Sequence, residues 1–172
     1  MSDWVLRRTV ARVVLLDPDG HTLLLAGRDP ADASKGSWWE IPGGGIDPGE
    51  SSESAARREL YEETGIRDAE IGPCVWTQRA RFTFAGWRFD QQEHVHVAWS
   101  ERIDLSTVRP GGLEAFEAMS FSGPRWWALD DLLVSNDQLL PRRLREFLPD
   151  LVEGRLPDVP LDITHDESEP PA

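Results

Sequence analysis

Three glutamates have a spacing that could serve shared chemistry. Glu59, Glu62 and Glu63 stand at positions i, i+3 and i+4, which places three side chains on one face of an α-helix. Two unit charges about 6 Å apart repel by roughly 3 kcal/mol at an effective dielectric constant of 20. A hard divalent cation removes this repulsion, because Mg²⁺ prefers carboxylate and carbonyl oxygens as ligands. The triplet is a candidate metal site, and a solvated acidic helix face is the alternative.

The loop before these glutamates favours the metal-site interpretation. Pro42 is followed by three glycines, 43–45, and glycine lets backbone carbonyls and amides approach a ligand closely. The chain then passes Glu50 and enters the stretch that carries the triplet. Arg58 lies four residues before Glu62, so it can brace that carboxylate on a helix.

Sequence patterns predict the elements that must position this loop and triplet. A helix is expected over 52–64, because Ser51 or Ser52 can cap its start and Gly65 stands where a left-handed terminator belongs. Apolar runs predict strands at 4–17, 22–26, 71–84, 89–100 and 125–129. Residues 36–48 and 101–123 are expected to be irregular, residues 130–133 to start a helical turn, and 136–147 to form an amphipathic helix.

Composition limits the class of protein. The chain has 172 residues, a single cysteine, Cys74, and a net charge of −13, which excludes an internal disulfide and a cysteine-built metal site. The acidic balance argues against partners such as long nucleic acid or an anionic membrane. The chain shows no membrane-spanning or targeting stretch, so a cytoplasmic location is expected. One domain over 1–155 is predicted, followed by a disordered acidic, proline-rich tail over 156–172.

The segment from Gly44 to Ile66 resembles the Nudix box of the Nudix hydrolase superfamily. Nine specified positions are filled over 23 residues: Gly44, Glu50, Arg58, Glu59, Leu60, Glu62, Glu63, Gly65 and Ile66. The flanking stretches 39–44 and 125–129 are also similar to the family, and the resemblance covers roughly residues 4–150. It implies an α/β fold, an α/β/α sandwich around a mixed β-sheet. It further implies hydrolysis of a nucleoside diphosphate linked to another moiety, with Mg²⁺ or Mn²⁺ as cofactor.

The resemblance also implies roles for individual residues. Metal ligands would be the Gly44 carbonyl and the carboxylates of Glu59 and Glu63, with Glu62 ligating or accepting a proton. Glu50 would brace the loop or contact a metal-bound water, and Arg58 would orient the glutamates. Family members often recruit one more carboxylate from later in the chain. The candidates here are Glu93, Glu114 and Glu117, of which Glu117 is favoured.

Aromatic and arginine side chains are the candidates for holding the substrate. Trp39, Phe82 and Trp127 could stack on a base, and Arg81 could bind phosphate through its guanidinium fork. Motifs of several known subfamilies are absent, which leaves a nucleoside triphosphate or a sugar nucleotide most open. A non-catalytic nucleotide-sensing module is the alternative function, and isomerase-like chemistry at Cys74 is a weaker one. A homodimer is left open.

Overall fold

The fold is built on a mixed β-sheet, seen in a computed structural model that describes residues 4–112 and 121–166. Its strands are β1 Val5–Leu16, β2 Thr22–Arg28, β3 Ser37–Glu40, β4 Gly43–Gly45, β5 Glu70–Phe84, β6 Trp87–Trp99, β7 Phe121–Trp127, β8 Gln138–Leu140 and β9 Leu161–Asp162. The sheet order is β8-β3-β2-β1-β6-β5-β9, with β4 paired to β1 and β7 to β2. Strand β1 runs parallel to β6, and β6 runs antiparallel to β5.

Helices cover both faces of this sheet, as the predicted α/β/α sandwich requires. Helix α1 is Ser52–Thr64, α2 is Leu129–Val134 and α3 is Leu144–Val152. Strand β1 feeds both cores, because successive strand residues face opposite sides. Val13 packs on the α1 side, whereas Val14 packs with α2 and α3. Within the described ranges, no helix has the length and hydropathy needed to cross a bilayer.

Helix α1 has the boundaries that the sequence predicts. The Ser51 hydroxyl accepts a hydrogen bond from the Ser54 N–H at 3.1 Å, which caps the first turn. Gly65 ends the helix with φ +79°, and its N–H donates to the Tyr61 carbonyl. A Cβ on Gly65 would collide with the Arg109 carbonyl, so this close approach also requires glycine.

Three predicted segments have a different structure. Strand β7 begins at Phe121, inside the stretch 101–123 that is predicted to be irregular, and ends at Trp127 rather than at residue 129. Residues 36–48 contain the short strands β3 and β4 rather than irregular backbone alone. The helix expected over 136–147 is wrong: 138–140 form β8, parallel to β3, and the helix begins only at Leu144. Pro141 explains the delay, because proline lacks an N–H and disfavours helical backbone at the residue before it.

The acidic tail is ordered as far as the structure describes it. Strand β9 pairs with β5 beside Trp76 and Thr77, and the Ile163 N–H donates to the Thr77 carbonyl at 2.8 Å. The Ile163 side chain is fully buried in the core. The expectation of disorder therefore does not hold for 156–166, because the burial of Ile163 and the pairing of β9 with β5 fix the chain.

A small polar contact, here called the strap, joins the β2–β3 loop to the tip of the β5–β6 hairpin. The buried Asp29 carboxylate accepts hydrogen bonds from the backbone N–H groups of Ala31 and Ala85. Lys35 Nζ lies 2.6 Å from Asp29 Oδ2 and also donates to the Thr83 carbonyl. The strap holds the hairpin tip against the loop that leads into β3.

Candidate active site

The glycine loop and helix α1 meet at the predicted carboxylates. The Gly43 N–H donates to Glu63 Oε2 at 2.9 Å. A Cβ on Gly44 would lie 2.6 Å from the carboxyl carbon of Glu59, closer than side-chain atoms tolerate. Only glycine at position 44 lets the backbone lie directly against this carboxylate.

Arg58 braces the outer side of the cluster. Its guanidinium donates two hydrogen bonds to Glu50, at 3.0 and 2.9 Å, and one to the Gly45 carbonyl at 2.8 Å. Its remaining nitrogen, Nη1, donates to Glu59 Oε1 at 2.9 Å and to Glu62 Oε2 at 3.2 Å. These hydrogen bonds lower the pKa of Glu50, so this carboxylate stays ionised. Arg58 thus links the loop to the helix, and it contacts Glu62, the carboxylate that its spacing predicts it to brace.

A second arginine lies on the inner side of the cluster. Arg12 Nε is 3.0 Å from Glu93 Oε1, and its Nη1 donates to the Ile41 carbonyl at 3.4 Å. Glu40 belongs to the same group and accepts a hydrogen bond from the Trp38 indole N–H at 3.0 Å. Neither Arg12 nor Glu40 is among the predicted site residues, although an arginine inside the apolar run of β1 is the signal that could have pointed to this group.

Buried amides complete the inner group. Glu93 accepts hydrogen bonds from Gln78 Nε2 at 2.5 Å and from the Gln91 amide. Gln91 in turn accepts a hydrogen bond from Arg8 Nε at 3.0 Å. Glu93 is therefore fully engaged with protein partners. Of the three later carboxylates it is the one the structure describes, since Glu114 and Glu117 lie outside the described residues.

The combined cluster carries more negative than positive groups. Burial raises the pKa of Glu63 well above its usual range, and the nearby Glu40 adds to the shift. Burial likewise raises the pKa of Glu40, against the opposing effect of Arg12. Two arginines, Arg12 and Arg58, face six carboxyl groups: Glu40, Glu50, Glu59, Glu62, Glu63 and Glu93. A divalent cation would compensate the excess negative charge and favour ionised carboxylates.

The predicted substrate residues are not all brought together. Arg81 and Phe82 point to opposite faces of β5, because adjacent strand residues alternate. Phe82 stacks on Phe89, and Arg81 lies 3.7 Å from Asp90.

Of the two predicted tryptophans, Trp127 belongs to the core and Trp39 packs against it. Trp127 is buried, its ring meets Trp39 edge-on at 5.2 Å, and Arg125 lies over the Trp127 face at 4.1 Å. These contacts cover the Trp127 ring, so the expectation that Trp127 stacks on a substrate base does not hold. Trp39 is half-buried and packs against the same core cluster.

Another acidic group lies at the β1–β2 turn. One ligand atom from each of Asp17, Asp19 and His21 falls within 4.8 Å of the other two. The Arg102 guanidinium forms ion pairs with both aspartates. Its Nε is 2.5 Å from Asp17 Oδ2, and its Nη2 is 3.0 Å from Asp19 Oδ2. The arginine already supplies the positive charge there.

The chain thus combines a sandwich fold with a glycine loop and a helix-borne glutamate cluster. The NUDIX domain profile matches residues 6–151, and the chain belongs to this family. An RNA pyrophosphohydrolase from Caulobacter vibrioides is 36% identical over 136 residues, which cover 69% of this chain and 70% of that protein. A second RNA pyrophosphohydrolase, from Rhodopseudomonas palustris, is 31% identical over 140 residues, covering 74% and 79% of the two chains. The chain is therefore an enzyme, a Nudix pyrophosphohydrolase.

Solved structures agree with this fold. The dihydroneopterin triphosphate pyrophosphohydrolase of E. coli superposes with a TM-score of 0.59 at 15% identity, covering 85% of this chain and 95% of that one. A MutT protein from Methanosarcina mazei gives 0.57 at 19% identity, covering 89% and 98%. At such identities the likeness establishes the fold alone.

Proposed function

We propose that this enzyme uses Mg²⁺, with Mn²⁺ as a substitute, to hydrolyse a phosphoanhydride bond in a nucleoside polyphosphate. The observation that carries the proposal is the cluster of glutamates that α1 and the glycine loop hold together with too few positive charges. Such a site is suited to a hard cation and to a phosphate substrate that the cation neutralises.

The proposed ligands are the Gly44 carbonyl and the carboxylates of Glu59 and Glu63. When bound, the cation would neutralise phosphate oxygens and acidify a water molecule. Glu62 is the proposed proton acceptor, because its side chain is 32% exposed whereas that of Glu59 is 8% exposed. Water can therefore reach Glu62 more readily. Arg58 would keep Glu59 and Glu62 in place, and Glu50 would anchor Arg58.

The proposed substrate is a nucleoside 5′-triphosphate, free or at the 5′ end of RNA. The names of the two relatives refer to pyrophosphate hydrolysis on RNA, which favours a 5′-polyphosphate over a sugar nucleotide. Phe82 is the proposed base-stacking residue, because it is 39% exposed and lies on the same face of the sheet as Glu93. Arg81 faces the opposite side and has no role in this proposal.

Product analysis with a matched pair of variants tests the proposal. Triphosphorylated RNA, nucleoside triphosphates and sugar nucleotides are incubated with Mg²⁺, and released phosphate is measured with and without inorganic pyrophosphatase. Glu63→Gln should abolish turnover, because it removes a ligand charge while preserving size. Glu53→Gln is the control, since Glu53 is an exposed glutamate on the same helix. Equal turnover in the wild type and Glu63→Gln would refute the metal assignment. Activity on sugar nucleotides alone would refute the proposal that the substrate is a nucleoside 5′-triphosphate.

A further inference from the structure

A row of aromatic side chains, here called the aromatic row, runs along the sheet away from the carboxylate cluster. The rings of Phe82 and Phe89 stack with centroids 5.2 Å apart and planes 11° apart. Beyond them, Trp4 and Trp87 meet edge-on at 6.0 Å. Trp4 is 57% exposed and Trp87 is 55% exposed, so this end of the row offers large apolar surfaces to solvent.

The aromatic row is continuous with the candidate active site. Strand alternation puts Trp87, Phe89, Gln91 and Glu93 on one face of β6, and the Gln91–Glu93 contact confirms this orientation. At roughly 3.4 Å per residue, the Phe89 ring lies about 14 Å and the Trp87 ring about 20 Å along the strand from Glu93. The two ring pairs thus follow one another, about 7 Å apart, on the same side of the site.

A positive charge accompanies the rings. The Arg8 guanidinium lies over the Phe89 ring at 5.1 Å, and Arg8 also donates to Gln91 at 3.0 Å. Aromatic rings combined with arginine are the means by which proteins bind unpaired bases without reading their sequence. The arrangement suits a ligand that is flat, polyanionic and extended.

We propose that the aromatic row binds the first two bases of an RNA whose 5′-polyphosphate lies at the carboxylate cluster. This inference rests on the proposed function and specifies the form of its substrate. A free nucleoside triphosphate has one base, which would stack on the exposed Phe82 ring of the first pair. A dinucleoside polyphosphate carries its bases on both sides of its phosphates, whereas both ring pairs lie on one side of the site. A chain with its polyphosphate at one end matches this order.

The acidic surface sets the length of RNA that is bound. With a net charge of −13, the protein repels a long phosphate backbone. Stacking on two ring pairs therefore supplies the affinity, and nucleotides beyond the second should add little. Because few phosphates are neutralised, binding should depend only weakly on salt concentration.

Steady-state kinetics on substrates of increasing length test the proposal. We expect kcat/KM for a 5′-triphosphorylated dinucleotide to exceed that for the nucleoside triphosphate by about tenfold, since stacking of one base contributes about that factor. The Trp4→Ala/Trp87→Ala double variant should abolish this ratio. Val134→Ala, which alters another exposed apolar side chain, is the matched control and should retain the ratio. A longer triphosphorylated RNA should match the dinucleotide.

Three results would overturn the proposal. The first is a wild-type ratio near one, and the second is an equal loss of activity on both substrates in the double variant. The third is a dimer of the wild type that becomes a monomer in the double variant, since the row would then be an interface between two copies.

Tryptophan fluorescence quenching by a 5′-monophosphorylated dinucleotide measures binding without turnover. One possible outcome is that the wild type binds this dinucleotide tightly, the double variant does not, and the wild type hydrolyses none of the substrates. This outcome would refute the proposed function and support the proposed role of the aromatic row. Hydrolysis of the substrates without such binding would refute only the proposed role of the aromatic row.

Discussion

Replacing Arg12 by methionine should destabilise the protein strongly. Arg12 is paired with Glu93, which is buried, and its positive charge also opposes the charge of Glu40. Removing one partner of a buried ion pair costs about 3–5 kcal/mol, because the other charge remains buried without compensation. The Arg12 side chain is 14% exposed, so solvent partly screens the ion pair. The expected loss of unfolding free energy is therefore at the lower end of this range, about 3 kcal/mol. At about 2–4 °C per kcal/mol for a chain of this size, Tm should fall by about 6–12 °C.

Urea unfolding followed by circular dichroism measures this loss, and a double-mutant cycle identifies its source. The cycle comprises Arg12→Met, Glu93→Gln and the double variant, whose loss should be at least about 1 kcal/mol smaller than the sum of the single losses. Arg81→Met is the control, because the Arg81 side chain is 59% exposed in its ion pair with Asp90 and its loss should change stability by about 0.5 kcal/mol or less. Additive losses, or a loss below about 1 kcal/mol for Arg12→Met, would refute the proposed coupling of this pair.

Three further changes test other parts of the structure. Gly44→Ala should lower kcat/KM by about 100-fold with little loss of stability, because its Cβ would displace the Glu59 carboxylate by about 1 Å; unchanged kinetics would contradict the close approach. The pKa of Glu40 is raised in the folded protein, so its contribution to stability is present at low pH and lost as pH rises. Urea unfolding without metal should therefore show Glu40→Gln gaining stability relative to the wild type between pH 4 and pH 8, whereas a pH-independent difference would refute this. Ile163→Ala should reduce the free energy of unfolding by about 2–4 kcal/mol in thermal melts, whereas the exposed control Val159→Ala should change it little; equal effects would show that β9 is not docked.

Local signals in the sequence are sufficient to predict the helix that carries the glutamates. The Ser51 cap, the spacing of the glutamates and the Gly65 terminator all lie within fifteen residues. Each signal acts on backbone that is close in the chain, and the observed helix has the predicted ends. The same locality explains why the contact between Arg58 and Glu62, four residues apart, is predictable from the sequence.

Contacts between segments that are distant in the chain could not be predicted from the sequence. Arg12 meets Glu93 across 81 positions of the chain, and Ile163 reaches Thr77 across 86. No local pattern identifies such partners, because they depend on which strands become neighbours. The assignment of Arg81 and Phe82 to one site failed for a simpler reason: strand alternation alone predicts opposite faces.

The strap has a practical consequence. Lys35 is the single lysine among the 172 residues, and its amine is held between Asp29 and the Thr83 carbonyl. Apart from an amino terminus, a reagent selective for amines therefore has one target among these 172 residues. Its rate of labelling would report how often the hairpin tip separates from the β2–β3 loop. A fluorophore attached there would stand at the end of β5 beyond Phe82, where the arrival of a nucleobase could be followed directly.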